Sequence, residues 1–163
     1  ICRQLSQRFG DGIIAATTEG LHPHAIIAPD AVVDAATWLR DEPGLSFDFL
    51  RCLSGVDYPE DNKLVTVYDL ISTVHRHAFA FKVEVHRDTP HMPSLAPVWP
   101  AAEWHEREAY DLLGIVYDGH PRLMRILLPD DWVGHPLRKD YVFPREYHGI
   151  PCSTEMNQER PLH

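Results

Sequence analysis

The stretch from His77 to Arg87 constrains the fold most: Phe79, Phe81, Val83 and Val85 fall on one side of an extended chain, and Lys82, Glu84, His86 and Asp88 on the other. Alternation with period two is the mark of a strand with one dry face and one wet face. Such a dry face must be covered, and helices are the usual cover for a half-buried sheet. Just before it, Leu64 to Val74 is long, β-branched and apolar at both parities, as a central strand is. Phe47, Phe49 and Leu53 alternate with Asp48 and Cys52 and give a third strand. Val32, Val33, Ala36 and Leu39 recur at helical spacing ahead of these strands, with Asp30 placed to cap the helix and Pro43-Gly44 to stop it. Cys2 to Phe9 reads as a short helix, and Gly12 to Thr17 and Ala25 to Ala28 read as short β segments split by Glu19-Gly20 and Pro23. The expected fold class is α+β, with helices packed on a mostly antiparallel sheet.

The C-terminal half is less regular. A helix is expected from Trp99 or Pro100 to Leu113, with its prolines confined to the first turn and Gly114 as its stop. Beyond Gly114 no period holds, and from Tyr141 to His163 the prolines at 144, 151 and 161 break any helix. Tyr141, Phe143, Tyr147 and Ile150 are too apolar for a solvated tail. Fully extended, that segment reaches roughly 75 Å at about 3.3 Å per residue. The expected organisation is an α+β domain over 1–114, an irregular segment over 115–140 and an extended C-terminal arm over 141–163 that docks on something.

The composition removes several function classes. With 163 residues and 44% hydrophobic content, the chain is long enough to bury about 70% of its unfolded surface in one core. Fifteen basic against 24 acidic residues give a net charge of −9 with no basic run, so nucleic acid and anionic lipid are repelled on average. Cys2, Cys52 and Cys152 form no C-x-x-C pair and fall one short of the thiolates an iron–sulfur cluster takes, so reduced thiols in a cytosol-like compartment are expected. No apolar run approaches the ~18 residues of a membrane span, and no basic n-region with an apolar h-region opens the chain. It begins on Ile1 rather than Met, which leaves a removed targeting segment open.

On a helical wheel, Ala101, Ala102, His105, Ala109, Leu112 and Leu113 share one arc, and Glu103, Arg107, Glu108 and Asp111 lie opposite. The spacing of Glu103, Arg107 and Asp111 suits ion pairs on a solvated face, each contributing about 0.2–0.5 kcal/mol. Two residues break the pattern. Trp104 stands among the charges, where a large aromatic is more typical of an interface anchor than of a free surface. Glu106 lies at the apolar edge between Leu113 and Tyr110, where a carboxylate needs a hydrogen-bonded or cationic partner.

Gly-His-Pro then occurs twice, at Gly119-His120-Pro121 and Gly134-His135-Pro136, each followed closely by arginine. Each copy is expected to make a tight turn that presents a cation: Arg122 and Arg125 after the first, Arg138 after the second. Arg138, Lys139 and Asp140 beside Tyr141 suit pairing with acidic groups on a partner, the arginine in a bidentate manner that lysine cannot match.

Three motif blocks in fixed order, Glu106 to Gly114, Gly119 to Pro129 and Gly134 to Tyr141, run through the stretch from about Pro93 to Tyr141. With them the chain resembles the 30 kDa subunit, or C-subunit, of complex I, the proton-pumping NADH:quinone oxidoreductase of the respiratory chain. The resemblance implies a structural subunit without cofactor or catalytic residues of its own. FMN and iron–sulfur clusters would sit in partner subunits, and the C-terminal segment would pack on the quinone-site D-subunit near iron–sulfur subunits. The expected partner-facing residues are Trp104, Glu106, Arg107, Glu108, Arg125, Arg138, Lys139 and Tyr141. It also implies a place peripheral to the energy-coupling membrane, on the cytoplasmic side in bacteria or the matrix side in mitochondria. Met124 departs from the pattern, which leads one to expect a basic residue there. A related subunit of a membrane-bound nickel–iron hydrogenase or formate hydrogenlyase shares the module.

A freestanding metal-dependent enzyme is the contrasting class. His22-x-His24 and His75-x-His77 each put two imidazoles on one strand face, but neither has an evident third ligand. His77 continues the apolar face of Phe79 and Phe81 and is expected to be packed. A hydrolase built on Glu106 and His120 would need the two to converge in a cleft, and no G-x-S-x-G, H-E-x-x-H or P-loop is present.

Overall fold

A computed structural model of the chain describes residues 1–19 and 23–152. Helix α1 (Cys2–Phe9) leads into strands β1 (Ile13–Thr17) and β2 (His24–Ile27), and a 3-10 turn at Pro29–Ala31 opens helix α2 (Val32–Asp41). Strands β3 (Phe49–Tyr58), β4 (Lys63–Ser72) and β5 (His77–His86) follow, then the short β6 (His91–Pro93), helix α3 (Ala102–Leu113) and β7 (Val116–Asp118). The first five strands form one sheet in the order β1-β2-β5-β4-β3, antiparallel except where β2 runs parallel to β5. The α+β class and the mostly antiparallel sheet are as the alternation predicts.

The register explains the core. On the dry face Tyr68 opposes Phe81 and Leu70 opposes Phe79, and the Tyr68 and Phe81 rings stack at 4.6 Å. Leu5, Val32, Ala36, Leu39 and Trp99 close over this face and are buried with it. The Trp99 indole N–H donates to the Phe47 carbonyl at 2.8 Å, tying the approach to α3 to the start of β3. At the far edge α3 lies so close to β3 that a Cβ on Gly55 would overlap the Leu113 side chain.

Two local expectations are corrected. Asp30 sits within the 3-10 turn, and Ala31 takes the N-cap position of α2 without a side-chain hydrogen bond. Phe47 and Phe49 do not share a face: Phe47 is buried against Phe79 and His77, while Phe49 is exposed. A register shift between Leu50 and Cys52 turns the strand, so Leu50 and Leu53 point inward three residues apart, as a bulge requires.

His75 and His77 are structural. Their Nε2 atoms donate to the carbonyls of Pro43 and Leu45 at 2.8 and 2.9 Å, pinning the β4–β5 turn to the loop after α2. His22 of the other pair lies outside the described residues. Within the expected arm, β8 (Glu146–Tyr147) and β9 (Ile150–Pro151) form a small antiparallel pair, and residues 153–163 lie outside the described residues.

Candidate functional site

The expected interface residues converge on α3, but not as a solvated charged stripe. The chain between His120 and Arg138 folds back over the helix and buries Arg107 and Asp111 of its polar arc. Asp111 is fully buried. Its Oδ2 accepts the backbone N–H groups of Ile126, Leu127 and Leu128 at 3.0, 2.8 and 2.9 Å. Its Oδ1 meets Arg125 Nη1 at 2.7 Å. Burial alone would raise the Asp111 pKa, but these three amides and the guanidinium outweigh it and hold the carboxyl below the usual carboxylate range. Arg107 is also buried, and donates to the carbonyls of Met124 and Arg125 at 3.3 Å. Met124 therefore contributes a backbone oxygen, which any residue could supply, and the missing cation at that position does not break the contact.

The two Gly-His-Pro turns bracket the same helix. His120 Nε2 donates to the Glu103 carbonyl in the first turn at 3.0 Å. At the other end the second turn satisfies the carbonyls that a helix C-terminus leaves open. His135 Nδ1 reaches Asp111 O at 3.0 Å, Leu137 N reaches Leu112 O at 3.0 Å, and Arg138 Nε reaches Leu113 O at 2.7 Å. Gly114, with φ 76°, completes the end by donating to Tyr110 O. A side chain there would strike His135 and Arg138 as well as strain the backbone. Arg125 adds bonds to the Trp132 and Gly134 carbonyls at 2.9 and 3.2 Å. Arg125 and Arg138, expected to present free cations, are thus engaged inside the chain. The Tyr141 hydroxyl donates to Val133 O at 2.8 Å, and its ring lies over Gly134.

Glu106 is enclosed by its own chain. Its Oε1 accepts Leu95 N at 2.7 Å and its Oε2 bonds the Ser94 hydroxyl at 2.5 Å, which fixes the loop between β6 and α3. Burial pushes this carboxyl up to about 7 against the downward pull of Ser94 and Leu95. His120 comes within 4.0 Å of Glu106, but both side chains are shut off from solvent, so no substrate reaches the pair. Among the described residues no group of three or more His, Cys, Asp or Glu side chains could hold a metal ion.

A second ion-pair network escaped the sequence reading. Arg87 Nε lies 2.8 Å from Asp57 Oδ1, and Arg87 Nη2 lies 2.6 Å from Asp140 Oδ1. Asp57 Oδ2 also accepts Lys139 N at 2.8 Å. The end of the third motif block is thereby fastened to the sheet. What remains outward is Trp104, which is 60% exposed with Arg107 stacked 5.1 Å from its ring, together with Glu108 and Lys139.

Residues 25–147 match the family described as respiratory-chain NADH dehydrogenase, 30 Kd subunit. The chain belongs to this family. The chain is 47% identical over 146 residues to the NADH-quinone oxidoreductase C-subunit of Chlorobium phaeobacteroides, covering 88% of each chain. The C-subunit of Mycolicibacterium gilvum is 50% identical over 156 residues, spanning 90% of this chain and 69% of that one. With Chloroherpeton thalassium the figures are 45% over 151 residues, 91% of this chain and 62% of the relative's length. The solved trypsin-resistant fragment (1-134) of Nqo5 shares 27% identity and superposes with a TM-score of 0.61 over 74% of this chain and 97% of the fragment. A chain of an archaeal membrane-bound sulfane sulfur reductase superposes at TM-score 0.69 over 86% of this chain and 82% of its own. At 22% identity that likeness shows the fold alone. The 30 Kd family match spans the helix, its clamp and strands β3, β4 and β5 beneath them.

Proposed function

We propose that this chain serves as the C-subunit of a respiratory NADH:quinone oxidoreductase, an accessory protein that braces the quinone-site D-subunit in the peripheral arm near iron–sulfur subunits. Electron transfer from NADH to quinone would run through cofactors of its partners. On this reading the chain lies peripheral to the energy-coupling membrane, on the cytoplasmic side in a bacterium or the matrix side in a mitochondrion. Among the described residues no helix is long and apolar enough to cross a membrane, in keeping with attachment through partners. The family membership supports the complex.

One observation carries the brace. Of the thirteen exposed large hydrophobic side chains among the described residues, seven lie between Met124 and Ile150: Met124, Leu127, Val133, Leu137, Val142, Phe143 and Ile150. The part of that stretch from Met124 to Arg138 is fixed to α3 by its polar groups while Met124, Leu127, Val133 and Leu137 face outward, with Trp104, Glu108 and Lys139 beside it. Such an arrangement suits a rigid docking surface.

The test is to tag the chain, solubilise membranes in mild detergent and identify the copurifying subunits. Flavin- and iron–sulfur-bearing subunits with NADH:quinone activity are expected. Nickel-site subunits would move the chain to the hydrogenase branch, and a lone chain would sink the brace. Trp104→Ala is expected to cost the isolated chain no more than about 1 kcal/mol, the scale of an exposed cation–π contact, but to weaken assembly by about 2 kcal/mol. Equal losses in melting temperature and in recovered complex would return Trp104 to a packing role. The arm beyond Tyr141 is expected to be cut by trypsin in the isolated chain, first at the exposed Arg145, and to be protected in the complex. Resistance in the free chain would count against docking.

A further inference from the structure

The start of the C-terminal arm encloses a cleft of about 350 Å³, lined among others by Asp131, Trp132, Tyr141, Val142, Glu146 and Tyr147. Its aromatic walls are held in place. The Trp132 and Tyr147 ring centroids lie 5.1 Å apart with the planes at 51°. The Tyr147 hydroxyl donates to Asp131 Oδ1 at 2.7 Å, and Tyr141 is fixed by its bond to Val133 and its packing on Gly134.

Both charged residues on the wall are acidic. Asp131 accepts hydrogen bonds from Tyr147 and, at 2.7 Å, from His148 Nε2, and these hold its carboxyl below the usual carboxylate range. Glu146 is exposed on β8, and its carboxylate has no hydrogen bond or ion pair among the described residues. Arg145, the adjacent cation in sequence, does not line the cleft. Ring faces and carboxylates together repel phosphate and other anions and attract a cation. The cation that suits both is a guanidinium, which lies flat on an aromatic ring and forks to carboxylate oxygens, whereas an ammonium is a compact and strongly hydrated point charge. Val142, Phe143 and Ile150 are exposed around the cleft, so it is continuous with the apolar surface assigned above to a partner subunit.

We propose that this cleft takes an arginine side chain of a neighbouring subunit, its guanidinium against the Trp132 and Tyr147 rings and paired with Glu146. The inference rests on the brace reading and adds to it the chemistry that the partner presents.

The test uses the full-length chain in its membrane complex, with photoreactive p-benzoylphenylalanine in place of Val142, which lines the cleft and is 85% exposed. After irradiation, mass spectrometry is expected to find a crosslink to an arginine-bearing peptide of a different subunit. A crosslink only within the chain, to a second copy of it, or to a peptide without arginine overturns the proposal, as does the lack of any crosslink in a complex that copurifies. Glu146→Lys is expected to lower recovery of the chain in the complex by about tenfold, with the melting temperature of the free chain unchanged. Tyr147→Leu removes a ring and is expected to lower recovery roughly fivefold, while Tyr147→Phe keeps the ring and stays near wild type. Equal recovery of the two Tyr147 variants overturns the proposal. If wild type copurifies with its partners and Glu146→Lys does so equally well, the arginine cleft falls and the brace stands. A wild-type chain recovered alone overturns both.

Discussion

Replacing Asp111 with alanine is expected to lower the stability of the isolated chain by about 3–5 kcal/mol, or roughly 10 °C in melting temperature for a domain of this size. The loss comes from what is left behind. Three amides, those of Ile126, Leu127 and Leu128, lose their acceptor, and Arg125 loses the carboxylate 2.7 Å away. Each unsatisfied buried amide costs about 1–3 kcal/mol before the segment relaxes outward. Asp111→Asn keeps one acceptor oxygen without the charge and should recover part of the loss. Urea unfolding followed by circular dichroism measures both. A loss under about 1 kcal/mol, the range of ordinary surface changes, would mean that the segment over α3 is held by something other than this carboxylate.

The second large effect is a pH dependence centred on Glu106. Its carboxyl is raised by burial from 4.5 to about 7, so the folded chain holds a proton that the unfolded chain releases earlier. The stability linked to that proton is complete below about 4.5, and is lost as the pH rises through about 7. The gap between the two values corresponds to about 3 kcal/mol. His135 acts in the opposite sense. Burial depresses its pKa against the upward pull of its bond to Asp111, with Arg138 and Arg125 adding to the depression, so its contribution is lost as the pH falls below the ordinary 6.5. Comparison of wild type with Glu106→Gln isolates the first effect. Wild-type melting temperature is expected to lose this contribution between about pH 4.5 and pH 7 and to show no further decline from it above that, and the Gln variant to lack this component. Parallel profiles for the two proteins across that interval would assign the loss to another group.

The strands and α3 were legible because hydrophobic period follows directly from backbone geometry. Phe79 to Val85 and the Gly114 stop needed nothing beyond the residues themselves. The parallel pair β6 and β7 was not legible, since three residues each beside Pro90 and Pro93 carry too little pattern. Asp111 and Arg107 were assigned to solvent because a helical wheel sorts residues by polarity and cannot show what lies across them. The signal that could have placed them is the aperiodic stretch after Gly114. An irregular segment that is not fully exposed must find acceptors for its amides, and a carboxylate on the adjacent helix is a natural one. By the same reasoning, arginines after tight turns look outward in sequence, yet Arg125 and Arg138 point back to helix carbonyls. The Asp57, Arg87 and Asp140 network joins residues far apart in the chain, which no local pattern reveals.

The order of these parts along the chain has a consequence for its synthesis. Helix α3 leaves the ribosome before the segment that covers it, and at about 5–20 residues per second the stretch from Gly114 to Arg138 takes roughly one to five seconds to appear. Asp111 and Arg107 have no internal counterparts until Met124 to Leu128 appear, and the last carbonyls of the helix lack theirs until Arg138. The polar arc of the nascent α3 is then exposed, and the closure of its C-terminus must wait for the second Gly-His-Pro turn. Any pause in translation inside this window would prolong the stage at which the growing chain is open to chaperones and proteases.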